Sequence, residues 1–352
     1  MRVTIKSVAE RAGVAVGTVS RVINGRKDVD PKLRSRVERA IQDLGYRPNA
    51  RARALSRGSS PILSFLLSNR DFVHPFHSRV LQGVEQYCSQ AGYFVLFTHF
   101  EYLPSTSAEA LRLPRVLQTH GIADCMIVSG TNYEPFLRAL DKLGIDYVLL
   151  GNNVISEQPL PEFDQVRFDE IAGAREAASY LVQLGHRDIW FIGDTSLPWF
   201  ANRHSGYVES MSAAGLEPRA FTARLADDPF TEGLRAVEYL MESKAPMTAL
   251  FCASDDIAYG AWQALERGGL HVPSEVSLVG FDDQYGPLRS PRLTSVRVDA
   301  CEIGRELAKM AIEKIKNGGT RVPQVVLPTT LQRRETCRPL MPIVQTSIAR
   351  AS

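Results

Sequence analysis

From Pro61 onward, short apolar runs alternate with amphipathic stretches, and this alternation limits the fold more than any other feature of the chain. The runs ILSFLL, YFVLF, CMIVSG, YVLLG, VRFD, IWFIG, ALFCAS and SLVGFDD have strand length. Between them stand SRVLQGVEQYCSQAG, EPFLRALDKLG, AGAREAASYLVQLG and DIAYGAWQALERGG, with apolar residues at helical spacing and a closing glycine in several. Strands rich in β-branched residues and lacking polar alternation are buried on both faces, so parallel sheets covered by helices are predicted. Eight such units exceed one compact layer and divide into two groups of four around SEQPLPEF. An α/β body of two doubly wound subdomains with a cleft between them is therefore expected. A long helix from Cys301 to Asn317 and the late stretch QVVLPTTLQRRET would cross back between the subdomains.

The N-terminal segment has a different character. Ile5, Val8, Ala9 and Ala12 share one helical face, and Gly13 can end that helix in a left-handed conformation. Val19, Val22 and Ile23 mark a second helix. A third is capped by Asp30, has Pro31 in its first turn, carries Leu33, Val37, Ala40, Ile41 and Leu44 as its stripe, and stops at Gly45. These stripes can bury one another in a small bundle ending near Arg47. In RPNARARALSRGSSP, Asn49 can cap a helix of about eight residues through Arg57, too short to be stable without a partner. Gly58, Ser59, Ser60 and Pro61 then read as a linker.

Charge follows the same division. Residues 1–60 hold fourteen Lys/Arg against five Asp/Glu, and the remainder holds 27 against 34, although the whole chain carries only +2. A basic head on an acidic body suits a head that meets a polyanion; a solvated basic tail is the alternative. The five cysteines (Cys88, Cys125, Cys252, Cys301 and Cys337) form no C-x-x-C pair, which argues against a disulfide framework or zinc site and for a reducing compartment. Arg2, Lys6, Glu10 and Arg11 interrupt any signal-peptide apolar core, and no run of 18 apolar residues exists. A cytoplasmic, nucleoid-associated location without membrane contact is expected. No strand is followed by G-x-G-x-x-G, and there is no phosphate loop, nucleophile elbow or metal-spaced histidine cluster. Neither catalysis, a cofactor nor a metal is expected.

Two short helices joined by a tight turn make a helix-turn-helix, whose second helix enters the DNA major groove. Burial of Val19, Val22 and Ile23 leaves Val16, Gly17, Ser20, Arg21 and Asn24 on the opposite face. Arg21 can bond bidentately to guanine, and Val16 can touch a thymine methyl. Gly17 lets the backbone come close, while the hydroxyls of Thr4, Thr18 and Ser20 suit phosphates. Spacing alone also fits a generic three-helix bundle with a polar face.

TIKSVAERAGVAVGTVSRVING followed by YRPNARARAL resembles the head of the lactose-repressor (LacI/GalR) family of bacterial transcription regulators. The resemblance continues in the family's order through LGHRDIWFIG, SDDIAYGAWQAL, VSLVGFDD and PRLTSVRVD, so it covers essentially the whole chain. It implies a helix-turn-helix DNA-binding domain over 1–47, a hinge helix and linker over 48–60, a periplasmic-binding-protein-like effector domain over 61–340 and a tail over 341–352. The N-subdomain would take about 61–162 and 298–329, and the C-subdomain about 163–297 and 330–340. The hinge would fold on operator DNA against its partner's hinge, with Asn49 and Arg53 at the DNA and Leu55 wedged into the central minor groove. One head binds weakly, so a homodimer on a double-stranded, pseudo-palindromic operator is expected. CRPLMPIVQTSIARAS has no sustained leucine heptads, so no tetramer-forming coiled coil is expected.

The resemblance also implies a small effector, a sugar or nucleoside, between the subdomains. Arg203 in NRHSGY matches the arginine that fixes ligand hydroxyls, and Asp282 in GFDD matches the opposing carboxylate at a strand end. Their alternatives are a surface ion pair and a loop cap. Phe76 in VHPFHSRV reads equally as pocket aromatic or core, and His77, which replaces the second aromatic of the family's loop, reads as a ligand donor or a satisfied structural histidine. Ser254 stands where sugar binders often carry asparagine. Gly151 stands where aspartate is common, leaving Asn152 as a substitute. Asp228 lies where a stacking aromatic is frequent, with Phe230 two residues away.

Overall fold

The computed structural model describes residues 3–23, 25–26, 28–46, 61–119, 121–156, 162–226, 228–285 and 291–340. The chain divides into two compact units, residues 1–61 and 62–352.

The first unit contains α1 (Ile5–Ala12), α2 (Val16–Ile23) and α3 (Pro31–Leu44). Thr4 and Ser7 cap α1 reciprocally: Ser7 N–H donates to Thr4 Oγ1 at 3.4 Å and Thr4 N–H donates to Ser7 Oγ at 3.3 Å. Gly13 turns the chain at φ +60°, a left-handed conformation that glycine adopts without Cβ strain. Arg36 of α3 fastens that turn by donating to Ala12 O at 2.6 Å and Gly13 O at 3.4 Å. Asp30 Oδ1 accepts from the N–H groups of Lys32 and Leu33 at 2.9 and 3.2 Å, which starts α3 where the sequence predicts. Val8, Ala9, Ala12, Val19, Val22, Val29, Val37 and Ala40 form the core, with Ile5, Ile23, Leu33, Ile41 and Leu44 packed at its edge.

The second unit holds two six-stranded sheets. The first runs in the order β13 (Val325–Leu327), β7 (Gln165–Phe168), β5 (Tyr147–Leu150), β3 (Cys125–Gly130), β1 (Ile62–Ser68) and β2 (Phe94–Phe100), all parallel. The second runs β14 (Thr330–Gln332), β12 (Thr294–Arg297), β11 (Ser277–Asp282), β10 (Ala249–Cys252), β8 (Ile189–Ile192) and β9 (Arg219–Phe221), with only β14 antiparallel. A minor ladder joins β4 (Asn132–Tyr133) to β6 (Val154–Ile155). The longer helices are α4 (Pro75–Ala91), α6 (Glu134–Lys142), α7 (Glu170–Gln183), α8 (Pro198–Ala213), α9 (Pro229–Glu242), α10 (Asp255–Arg267) and α11 (Ala300–Lys316); α5 (Arg115–Gln118) is a single turn. Helices α4 and α11 approach so closely that a Cβ on Gly83 would lie 1.9 Å from Cys301 O, and one on Gly304 would lie 2.0 Å from Val80 O.

One expectation changes. VRFD was expected to open the second subdomain, which placed the boundary near residue 163. Instead it forms β7 in the first sheet, where Val166 lies between Leu150 and Val325. Val166 and Phe168 are buried there, and Asp169 N–H donates to Leu327 O at 3.0 Å at the point where the chain leaves this lobe. SEQPLPEF thus falls in sequence between β6 and β7 and does not mark the passage to the second lobe. QVVLPTTLQRRET forms two strands, β13 in the first sheet and β14 in the second, and passes between the lobes. Pro328 lies between them and has no N–H to continue a ladder. Among the described residues the chain therefore crosses between lobes three times, after β7, between β12 and α11, and between β13 and β14.

Candidate functional site

In the first unit, packing of Val19 and Val22 inward turns the other face of α2 to solvent. Val16 is 41% exposed, Gly17 and Arg21 are exposed, and Thr18 and Ser20 are half-buried. No atom lies within 4 Å of where a Gly17 Cβ would stand, so the backbone there is open to close approach. The exposed Thr4 already engages its hydroxyl in the α1 cap, 3.2 Å from Ser7 Oγ. Asn24, Asn49, Arg53 and Leu55 lie outside the described residues.

In the second unit a cavity is lined from both lobes. The first lobe supplies Arg70, His74, Phe76, His77, Asn153 and Phe168; the second supplies Trp199, Phe200, Arg203, Pro229, Ser254, Asp256, Asp282 and Gln284. Many of these follow the C-terminal ends of β1, β7, β10 and β11, where open α/β sheets leave a crevice. Five of the six residues expected to bind an effector line this cavity: Phe76, His77, Arg203, Ser254 and Asp282. The sixth, Asn152, does not. Its amide donates to Phe168 O at 3.0 Å and Glu170 Oε2 at 2.9 Å and accepts Phe168 N–H at 3.0 Å, which leaves its neighbour Asn153 at the cavity.

Arg203 is the centre of the arrangement. It lies on α8 and is buried, so its charge needs compensation. Nε and Nη2 donate to Glu170 Oε1 at 3.3 and 3.2 Å, Nη1 donates to Ala253 O at 2.6 Å, and Nη2 lies 3.0 Å from Asp282 Oδ1. The Phe281 ring centroid stands 3.9 Å from the guanidinium carbon, within cation–π range. Burial raises Glu170 and Asp282 above the ordinary carboxylate range, while the guanidinium between them opposes that rise. Glu170 was not expected from the sequence, where it falls between VRFD and the helical stretch AGAREAASYLVQLG.

Asp282 and Asp283 adopt φ +102° and +52°, conformations that typically cost about 1–3 kcal/mol in a non-glycine residue. The surroundings hold this turn: Asp283 N–H donates to Ser295 Oγ at 3.1 Å, and Arg334 grips the Asp283 carboxylate at 2.7 and 2.9 Å. The turn aims Asp282 at Arg203 and the cavity. Ser254 Oγ accepts Ile257 N–H at 3.3 Å as the cap of α10. Phe76 meets His77 edge-on at 5.1 Å between centroids and Phe168 at 6.1 Å, so it belongs to core and cavity wall together. His77 is 3.3 Å from Ser129 Oγ, and burial pushes it well below the usual histidine range, so it is neutral. Asp228 caps α9 through Thr231 N–H at 2.8 Å. The aromatic wall comes instead from Trp199 and Phe200. The signal for Trp199 was present in the sequence, since it precedes Arg203 by one helical turn. Arg70, His74 and Gln284 were also missed, because they sit in loops or at helix starts that no periodicity marks.

Among the described residues no group of His, Cys, Asp or Glu could hold a metal, and no helix is long and apolar enough to cross a membrane. Residues 4–49 match bacterial regulatory proteins of the lacI family, and residues 178–337 match a periplasmic binding protein-like domain. The HTH-type transcriptional regulator CelR of Thermobifida fusca is 33% identical over 341 residues, which is 95% of this chain and 98% of CelR. The ribose operon repressor of Haemophilus influenzae is 30% identical over 341 residues, again 95% of this chain and 98% of the relative. A solved complex of the regulator CelR with cellobiose shares 30% identity and a TM-score of 0.66, covering 95% of this chain and 100% of that one. A helix-turn-helix head, a two-lobed body and relatives that are transcription regulators lead to one assignment: this chain belongs to the lacI family of bacterial regulatory proteins and is a DNA-binding transcription regulator, not an enzyme.

Proposed function

We propose that this regulator is a repressor that binds a pseudo-palindromic double-stranded operator as a homodimer, and that a sugar in the cleft controls its affinity. The observation that carries the reading is the Arg203–Asp282 pair at the cavity, 3.0 Å apart, with Phe76, Trp199 and Phe200 around it. A guanidinium beside a carboxylate can donate to and accept from neighbouring hydroxyls of a polyol, and flat aromatic walls suit the apolar faces of a sugar ring. The name of the ribose operon repressor and the cellobiose in the CelR structure favour a sugar over a nucleoside.

Val16, Gly17 and Arg21 read base edges, while Thr4, Thr18, Ser20 and Asn24 meet the backbone or flanking bases. Residues 1–47 are the DNA-binding domain and 48–60 the hinge, in which Asn49, Arg53 and Leu55 contact DNA. Effector binding alters how the lobes close about their three crossings, which changes the spacing of the paired hinges. The protein works in the cytoplasm, on the nucleoid. By linkage, operator changes sugar affinity by the same factor as sugar changes operator affinity. Operator titrations with and without sugar test this. An affinity that stays constant with the cleft occupied would overturn the coupling.

A further inference from the structure

The cavity walls differ in chemistry. On the first lobe the ionisable residues lining it are Arg70, His74 and His77, and among the described lining residues that lobe contributes no carboxylate. The second lobe supplies Asp256 and Asp282, each already engaged. Asp282 faces Arg203, and Asp256 accepts Tyr285 O–H at 2.7 Å and lies 3.7 Å from His74 Nε2.

Arg70 is unlike Arg203. Its Nε donates to the neutral hydroxyl of Thr131 at 2.8 Å, and its guanidinium carbon stands 5.1 Å from the Trp199 ring centroid. Among the described residues no carboxylate lies within ion-pair distance of it. Burial depresses its affinity for the proton, and the more distant Tyr133 and Asp282 offset this only in part. It lines both the central cavity and a neighbouring pocket, with which Trp199, Phe200 and Pro229 are likewise shared and whose carboxylates, Asp194, Asp228 and Glu232, each accept backbone N–H groups. A guanidinium offers a planar fork of donors that matches carboxylate and phosphate oxygens. Two further polar atoms of lining residues, Gln284 Oε1 and His74 Nδ1, are buried and unpartnered in the protein. Gln284 Oε1 can only accept, so it needs a donor such as a hydroxyl.

We propose that the effector is an anionic sugar, a polyol bearing a carboxylate or phosphate group, and that Arg70 reads the anionic group while Arg203, Asp282 and Gln284 read the hydroxyls. This rests on the sugar reading of the cleft. It assigns Arg70 to specificity, where a purely structural role would confine it to bracing Trp199 across the lobes.

The test is calorimetric titration of the full-length protein with D-glucuronate, D-galacturonate, D-gluconate and D-glucose 6-phosphate. Neutral D-glucose and D-galactose, and acetate and inorganic phosphate alone, are the controls. At least one acidic sugar should bind about tenfold or more tightly than its neutral parent, and whether it is a carboxylate or a phosphate names the source of the charge. Arg70→Gln should erase that preference, Arg70→Lys should restore part of it, and thermal melting should show both variants folded. A neutral parent that binds as tightly as its acid, or an Arg70→Gln protein that keeps the preference, overturns the anionic assignment and leaves the sugar site standing. Failure of every sugar, neutral and acidic, to bind would bring down the sugar reading itself.

Discussion

Arg203 and Glu170, thirty-three residues apart, share a buried ion pair in which Glu170 Oε1 accepts from both Nε and Nη2 at 3.3 and 3.2 Å. Glu170 Oε2 takes the amides of Asn152 and Asn202 at 2.9 and 3.0 Å. The carboxylate that steadies the cleft arginine of one lobe is thus also tied to the other lobe, at the first crossing of the chain.

Removal of Arg203 should be severe. Arg203→Met leaves Glu170 and Asp282 buried without their cation, and stability at pH 7 should fall by about 3–5 kcal/mol. Glu170→Gln should cost less, because Arg203 retains Asp282. Urea titration reads both, and a loss under about 1 kcal/mol for Arg203→Met would contradict the pairing.

Two buried groups should give opposite pH dependences. Asp255 accepts Ser295 O–H at 2.5 Å and Gln284 N–H at 2.7 Å, yet burial, aided by the Asp282 charge, raises it well above the ordinary range. Its native form holds a proton that the unfolded chain releases above about pH 4. Its contribution is therefore full below about pH 4 and is lost as pH rises toward the folded value. His77 is depressed, so its contribution is full above about pH 6.5 and is lost as pH falls toward its folded value. Stability curves of Asp255→Asn and His77→Gln across pH 4–8 should each lack one of these slopes. If either variant keeps the parent's full dependence, the assignment for that group fails.

Alanine at two glycines should separate folding from DNA binding. Gly304→Ala forces a Cβ to within 2.0 Å of Val80 O and should destabilise the body by about 1–3 kcal/mol. Gly17→Ala meets nothing within 4 Å, so the head should melt within about 1 kcal/mol of the parent while operator affinity drops, because the backbone no longer approaches the groove. Equal operator affinity for Gly17→Ala would remove that residue from the interface.

Leu55→Ala should weaken specific operator binding far more than binding to unrelated duplex, since a minor-groove wedge acts only where the hinge folds on its site. Gel-shift titrations on both duplexes measure the difference, and equal losses would refute the wedge.

The head was legible because its signals are local. Gly13, Asp30, Pro31 and Gly45 act within a turn of where they stand, and the valine spacing defines which faces meet; the Thr4 cap of α1 was not read. Arg203, Asp282, Phe76, His77 and Ser254 were legible as a group through their motifs, and they line one cavity. Asn152 was misplaced by one residue, because a single turn of 3-10 helix at Gly151–Asn153 decides which of two asparagines faces inward.

By itself, then, the sequence determined the alternation of strands and helices, the three-helix head and the exposed face of its second helix, since periodicity and caps operate over a few residues. Only the tertiary structure decided that VRFD completes the first sheet, that Glu170 neutralises Arg203, and that Arg70 reaches the cavity without a carboxylate of its own. Those outcomes depend on which distant groups share a low-dielectric interior. Strand pairing and charge compensation there are settled by neighbours tens to more than a hundred residues away, such as Val325 beside Val166, and no local pattern records them.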